Sequence, residues 1–270
     1  MPHHLSVAHL SAITLPPPDF IETASVAGFD GVGLRLLRVT DDSPGYPLMD
    51  DPAALRRTQA AQQATGLVVS DIEFVRITAD LNPATLEPLL DAGAALRARR
   101  LICAPYDSDL SRLAATLAAI TELSRARGIQ PVLEFFPWTD VPDLATCWNV
   151  VQQAGAEPGI LVDSLHFDRS NWDLALLRAI PAKRLPFAHI CDAPRQPPYT
   201  TEALLHAARA ERLAPGDGQI DLPAFLRALP TNIDLSVEAP MTALLARAGG
   251  GAVLHQLYQR MATFLDRTSA

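Results

Sequence analysis

Residues 131–137 read Pro131-Val132-Leu133-Glu134-Phe135-Phe136-Pro137. A carboxylate stands inside an apolar run that ends at a proline. Three runs downstream have the same shape: Ile160-Leu161-Val162-Asp163-Ser164-Leu165-His166, Pro186-Phe187-Ala188-His189-Ile190-Cys191-Asp192 and Leu235-Ser236-Val237-Glu238-Ala239-Pro240. Short apolar runs without alternation suit strands covered on both faces, as parallel strands are.

Towards the N-terminus, Leu5–Leu10, Val32–Leu37, Leu67–Val75 and Arg100–Ala104 are further apolar runs of this kind. Helix-like stretches lie between the runs, over 19–27, 52–65, 82–97 and 108–127, and a last one covers 241–266. Gly128 follows the fourth of these, where a helix C-terminal glycine belongs. Successive runs start roughly 30 residues apart, one strand–helix unit each. Eight such units predict a single α/β domain over 1–270, a closed (β/α)8 TIM barrel, and its usual length of about 250 residues agrees. An open doubly wound sheet is the rival, and its glycine fingerprint is missing. Gly31-Val32-Gly33 lies inside the second run and lacks the third glycine.

One spacing is long. Between the seventh and eighth runs lie the proline-rich stretch Pro194–Thr200, a helix-like segment over 201–211, and Ala214-Pro215-Gly216-Asp217-Gly218. This reads as an extended loop at about 192–220 over the barrel mouth, because long connections in compact domains are often functional.

The charge balance narrows the partners. The chain carries 22 Lys and Arg against 30 Asp and Glu, a net charge of −8. Nucleic-acid binding draws affinity from cations on phosphates, so an acidic chain with no basic cluster beyond Arg97, Arg99 and Arg100 is a poor candidate. Cys103, Cys147 and Cys191 are odd in number and fall in no C-x-x-C spacing, against a disulfide framework. No run of about 18 apolar residues could span a membrane, and the first residues lack a basic-then-apolar leader. A cytoplasmic protein with no membrane partner is the expectation.

Barrel chemistry sits at the C-terminal ends of the strands. Glu134, Asp163, His189 and Glu238 fall there, on four consecutive strands. Each has a structural reading alone: a surface ion pair, a helix cap for Asp163, a packed histidine for His189. Together, three carboxylates at one end of a barrel would repel one another, and burying each costs several kcal/mol. One divalent cation supplies the missing charge. Three oxygen ligands and one imidazole favour Mn²⁺, with Mg²⁺ or Co²⁺ as alternatives, over a structural zinc.

With these residues in place the chain resembles the xylose-isomerase-like TIM-barrel superfamily of sugar phosphate isomerases and epimerases, over nearly its whole length. The most specific stretches are Val132-Leu133-Glu134, Val162-Asp163-Ser164-Leu165-His166, His189-Ile190-Cys191-Asp192, Pro215-Gly216-Asp217-Gly218-Gln219-Ile220-Asp221 and Val237-Glu238. In ketose 3-epimerases and inosose-type members a Glu, an Asp, a His and a Glu hold the metal, which implies that Glu134, Asp163, His189 and Glu238 do so here. The resemblance also implies that His166 touches substrate and that an arginine of the long loop binds a substrate oxygen, leaving Arg195 and Arg212 both open. Family members are often dimers or tetramers, so a homo-oligomer is open as well.

The resemblance implies a carbohydrate or polyol ketone substrate, isomerised or epimerised through an enediolate. A bound cation polarises the carbonyl, one of Glu134 and Glu238 takes the α-proton, and the other returns one. No glycine-rich phosphate loop stands out, which leans towards an unphosphorylated substrate. The same superfamily holds 3-dehydroshikimate dehydratases, which would use such a site to expel a β-hydroxyl. It also holds endonuclease IV, but the third and fourth runs end without the extra histidines a three-zinc site needs.

Five other positions are candidates for the pocket. His9 ends the first run and either lines the pocket or packs. Arg35 interrupts the second and either binds substrate or pairs with Glu73. Phe136, Trp138 and Phe167 either wall a sugar ring or pack the barrel top. His3 and His4 are expected to belong to a disordered end.

Overall fold

The computed structural model describes residues 3–40 and 43–269. Met1, Pro2, Ala270 and, in the loop expected over 41–51, Asp41 and Asp42 lie outside them. Eight strands form a closed barrel in sequence order: β1 (Leu5–Val7), β2 (Gly31–Arg35), β3 (Val68–Ile77), β4 (Arg100–Pro105), β5 (Gln130–Glu134), β6 (Gly159–Asp163), β7 (Phe187–Ile190) and β8 (Asp234–Val237). Every pair is parallel, and β8 closes on β1 with Leu5 opposite Leu235. The predicted (β/α)8 barrel is the fold.

The helices are α1 (Pro17–Ala27), α2 (Pro52–Thr65), α3 (Glu87–Ala95), α4 (Leu110–Arg125), α5 (Leu144–Gln153), α6 (Ser164–Asp168), α7 (Leu174–Ala179), α8 (Thr201–Arg209), α9 (Leu222–Ala228) and α10 (Thr242–Ser269). Six start on an aspartate, Asp51, Asp109, Asp143, Asp163, Asp173 or Asp221, whose carboxylate accepts backbone N–H groups of the first turn. Such a cap stabilises a helix by about 1 kcal/mol. The expected last helix is broken at Gly249, where φ 78° and ψ 171° are not helical. The helix expected over 82–97 is a 3₁₀ turn, Pro83–Leu86, followed by α3. Among the described residues no helix is long and apolar enough to cross a membrane.

Strand alternation sorts the side chains into two environments. Leu133, Ile160, Val162, Ala188, Ile190, Leu235 and Val237 pack in the main core with the helices. Their neighbours Val132, Leu161 and Phe187 join Phe74, Ile102, Ala104 and Phe136 in a second, smaller apolar cluster. That second set shares its parity with Glu134, Asp163, His189 and Ser236, so it fills the barrel interior beneath the C-terminal mouth. The opposite side of the interior, at β2 and β3, presents Gly31, Gly33, Ser70 and Asp71 instead. Register shifts after Val32 on β2 and between Ile72 and Val75 on β3 re-aim the side chains there.

The long connection after β7 is tied down by one carboxylate. Asp192 accepts N–H groups from Gly216, Gly218 and Ile220 at 2.9–3.2 Å. A Cβ on Gly218 would stand 2.3 Å from Asp192 Oδ1, so the Pro215–Asp221 motif needs glycine for this wrap. His3 and His4 are placed, against expectation. His3 Nδ1 lies 2.9 Å from the Ile233 carbonyl oxygen, and Leu235 N–H donates to the His4 carbonyl. All three cysteines are free and buried.

Candidate metal centre

The four residues read from the strand ends converge. Glu134, Asp163, His189 and Glu238 are all buried, and one ligand atom of each lies within 4.8 Å of the others. His189 Nδ1 is 3.4 Å from a Glu238 oxygen and 3.9 Å from Asp163 Oδ2. Neither ring nitrogen of His189 has a hydrogen-bond partner among the described residues. Three carboxylates, a buried imidazole with free nitrogens and this spacing fit a divalent cation by donor chemistry.

Asp163 makes the helix cap weighed for it and keeps its second oxygen at the cluster. Its Oδ1 accepts from Leu165 and His166 N–H at 2.6 and 3.2 Å, capping α6. Its Oδ2 faces the site, where Arg212 Nη1 reaches it at 2.6 Å. Arg212 is itself buried and also contacts Glu238, Nη2 to Oε2 at 3.0 Å. Of the two loop arginines it is the one at the ligand cluster. Arg195 is half exposed and pairs with Asp168 at 3.0 Å, outside the residues lining the mouth.

The electrostatics follow from burial and crowding. Burial, then Glu238, pushes the Glu134 carboxyl well above the usual range. Burial would raise Glu238 too, but Arg212 and His189 outweigh it and hold it below. Burial would lower His189, yet Glu238, Glu134 and Asp163 raise it to about 10. Arg212 thus supplies positive charge to the clustered acids, which in turn favour the protonated form of His189.

Above the cluster is a cavity of about 240 Å³. Glu134, Glu238, His166 and Arg212 form its polar floor. His166 Nε2 stands 3.7 Å from Glu134 Oε1, and burial lowers its imidazole to about 4. Phe136 and Trp138 stack at 5.0 Å, both meet the His166 ring edge-on, and both line the cavity. Phe167 does not belong to it; the turn of α6 sends it outward onto Trp172 and Phe225.

Of the two readings of Arg35, the structure has the pairing. It pairs with Glu73 at 2.8 Å and lines the cavity with that partner. His9 is a packing residue. The chain leaves β1 at Val7 and turns into a 3₁₀ segment, His9–Ala12, which buries the ring between Phe20 and Tyr46. Its Nδ1 accepts from Arg35 N–H at 3.1 Å and its Nε2 faces the Leu15 carbonyl at 2.9 Å, so it fixes the base of the mouth without lining it.

Several lining residues lie outside the sequence reading: Leu10, Ile13, Val39, Thr40, Phe74, Tyr106, Ala208 and Arg209. Tyr106 follows the proline that ends β4, a position that marks mouth residues, whereas Phe74 lies inside β3 within its register shift. Leu10 lies in the 3₁₀ segment and Ala208 and Arg209 at the end of α8, while Ile13, Val39 and Thr40 come from loops, where no periodic signal exists.

Comparison with known proteins agrees with this geometry. The family model described as xylose isomerase-like TIM barrel matches residues 21–251. A 3-dehydroshikimate dehydratase of Pseudomonas putida is 28% identical over 132 residues, which is 47% of this chain and 20% of that protein. The chain therefore spans about a fifth of that relative's length. A xylose isomerase-like TIM barrel/4-hydroxyphenylpyruvate dioxygenase fusion protein superposes with TM-score 0.83 at 21% identity, over 99% of this chain and 43% of that one. A structure of the IolI protein with a zinc atom gives 0.82 at 16% identity, covering 98% and 99%. D-psicose 3-epimerase with D-tagatose, from Clostridium cellulolyticum H10, gives 0.74 at 12% identity, covering 97% and 98%. At these identities the structural likenesses show the fold.

Proposed function

Since the chain belongs to the xylose isomerase-like TIM barrel family, we propose that it is a divalent-metal-dependent isomerase or epimerase of a small ketose or inosose-like polyol ketone. One observation carries this reading: Glu134 and Glu238, from strands β5 and β8, share one ligand cluster and both open on the cavity. Two carboxylates reaching a substrate carbon from different strands are what proton removal on one side and return on the other require.

Glu134, Asp163, His189 and Glu238 would hold one cation, Mn²⁺ or failing that Mg²⁺ or Co²⁺. When bound, it supplies Lewis-acid polarisation of the substrate carbonyl. One glutamate takes the α-proton, and the pair of electrons left behind forms the enediolate. The other glutamate protonates that carbon or its neighbour. Arg212, inside the cluster, is placed to steady a substrate oxygen as negative charge develops. His166 reaches the same floor, and Phe136 with Trp138 offers an apolar face to the C–H side of the substrate. The small cavity, below the range of about 300–1,000 Å³ for drug-sized ligands, suits a single ring or short chain.

Loss of a β-hydroxyl from the same enolate is the second reading. The 28% identity to a 3-dehydroshikimate dehydratase supports it, as does His166, a neutral acid–base group beside Glu134. Incubation in D₂O with a panel of ketoses, inososes and 3-dehydroshikimate, with Mn²⁺ and after chelation, separates the two. Metal-dependent deuterium uptake into a ketose or inosose supports the isomerase. Conversion of 3-dehydroshikimate to an aromatic acid supports the dehydratase. Neither reaction with any of them sinks both.

A further inference from the structure

The cavity has a second polar wall that the chemistry above does not use. In the closed ring of eight strands β2 and β3 stand across from β6 and β7, so Arg35 and Glu73 lie on the far side of the mouth from Asp163 and His189. Both line the cavity, yet Arg35 is only 8% exposed and Glu73 2%. They are register partners on adjacent strands, and their one hydrogen bond runs from Nη2 to Oε2 at 2.8 Å. Arginine and carboxylate often meet through two parallel bonds. Here the single contact leaves Arg35 Nε and Glu73 Oε1 buried without a hydrogen-bond partner.

The backbone holds the pair in place. Arg35 N–H donates to His9 Nδ1 at 3.1 Å, and the Arg35 carbonyl accepts from Tyr46 N–H at 3.0 Å. The Glu73 carbonyl accepts from Leu36 and Leu37 N–H at 2.8 and 3.2 Å. Burial works against the Arg35 charge, and Glu73 more than offsets it. The wall is therefore close to neutral but keeps a donor group and an acceptor group to spare. Buried polar groups are almost always paired, so a ligand is expected to complete these two. A carboxylate would answer Arg35 but bring a like charge to Glu73. Neighbouring hydroxyls answer both, because each can donate and accept.

We propose that Arg35 and Glu73 form the specificity-determining subsite for the end of the substrate remote from the quartet, where one hydroxyl donates to Glu73 Oε1 and its neighbour accepts from the Arg35 guanidinium. The reacting compound then carries a diol away from its ketone carbon, whichever way its enolate collapses. This rests on the reading of the cavity as the substrate pocket.

Probes that cannot react test the subsite apart from the reaction. myo-Inositol offers neighbouring hydroxyls and cyclohexanol only one, and neither has a carbonyl. The full chain is titrated with each, in Mg²⁺ and in chelator. Occupancy is read from the Trp138 indole ¹⁵N–¹H signal, assigned by its loss in Trp138→Phe; Trp138 lines the cavity and its indole nitrogen has no hydrogen-bond partner. The wild type should bind myo-inositol. The double variant Arg35→Met with Glu73→Leu should shift the ratio of the two dissociation constants by about 10-fold or more in favour of cyclohexanol. That replacement keeps the charge balance, and apolar substitutes for a buried ion pair are often neutral for stability. Glu73→Gln alone should move the ratio the same way. An unchanged ratio in the folded double variant overturns the proposal, and so does a wild type whose Trp138 signal myo-inositol does not move. The predicted ratio beside an inert panel of ketoses supports the subsite and sinks the isomerase reading; ketose turnover beside an unchanged ratio does the reverse.

Discussion

Arg212 donates from Nη1 to Asp163 Oδ2 at 2.6 Å, while the other oxygen of the same carboxylate caps α6. The contact joins the loop after β7 to the strand ends and occupies one of the atoms a cation would need. Arg212 is therefore a counter-charge for the cluster, and on the proposed reading it would compete with a cation for Asp163.

Replacing Arg212 separates those roles. Arg212→Met leaves Asp163 and Glu238 buried without their cation, and breaking such a pair costs roughly 3–5 kcal/mol. Denaturant unfolding in chelator should show a loss of that order. Added Mn²⁺ should restore most of it. An equal loss with and without metal would mean that the cation and Arg212 do not share these carboxylates.

Chelation should destabilise the wild type. At a metal concentration near 100 times the dissociation constant, a bound ion contributes about 2.7 kcal/mol. For a chain of this size that is about 5–10 °C in melting temperature. Scanning fluorimetry with Mn²⁺ and with EDTA measures it, and identical melts would count against the centre.

The pH dependence follows from His189, which its acidic neighbours raise from 6.5 to about 10. A group raised on folding contributes stability fully below its unfolded value, and that contribution is lost as pH climbs to its folded value. The metal-free protein should therefore lose stability between about pH 6.5 and 10. Ligation needs the imidazole unprotonated, so metal affinity should rise across the same window. Unfolding midpoints in chelator and Mn²⁺ titrations at pH 6.5, 7.5 and 8.5 check both signs. An affinity that falls with pH would remove His189 from the ligand set.

Asp192 should govern the mouth loop. Three backbone N–H groups of the 216–220 turn end on its carboxylate, and hydrogen bonds to a charged group are worth about 1.5–3 kcal/mol each. Asp192→Ala should destabilise the chain by about 3 kcal/mol or more and speed proteolysis within 194–219. Unchanged digestion would show that other contacts hold the loop.

The barrel and the quartet were legible for one reason. Glu134, Asp163, His189 and Glu238 each break an apolar strand at the same height, and a polar group there has few structural alternatives. The parity that carried them also carries Val132, Leu161 and Phe187 into the interior. His9 was open between two readings because a strand's last residue and a pocket residue look alike until the 3₁₀ turn decides. Phe167 went outward because α6 starts at Ser164, so helical rather than strand geometry directs it. Arg195 and Arg212 lie in one irregular loop, where nothing periodic ranks them; the wrap around Asp192 does.

Metal-stripped protein titrated with Mn²⁺, with free ion followed by electron paramagnetic resonance, is the most direct test of the metal centre. The account predicts one tight equivalent per chain in the wild type and its loss in both Asp163→Ala and Glu238→Ala variants that retain the native circular dichroism. A wild type that leaves all the Mn²⁺ free, or folded variants that bind it as the wild type does, would contradict it.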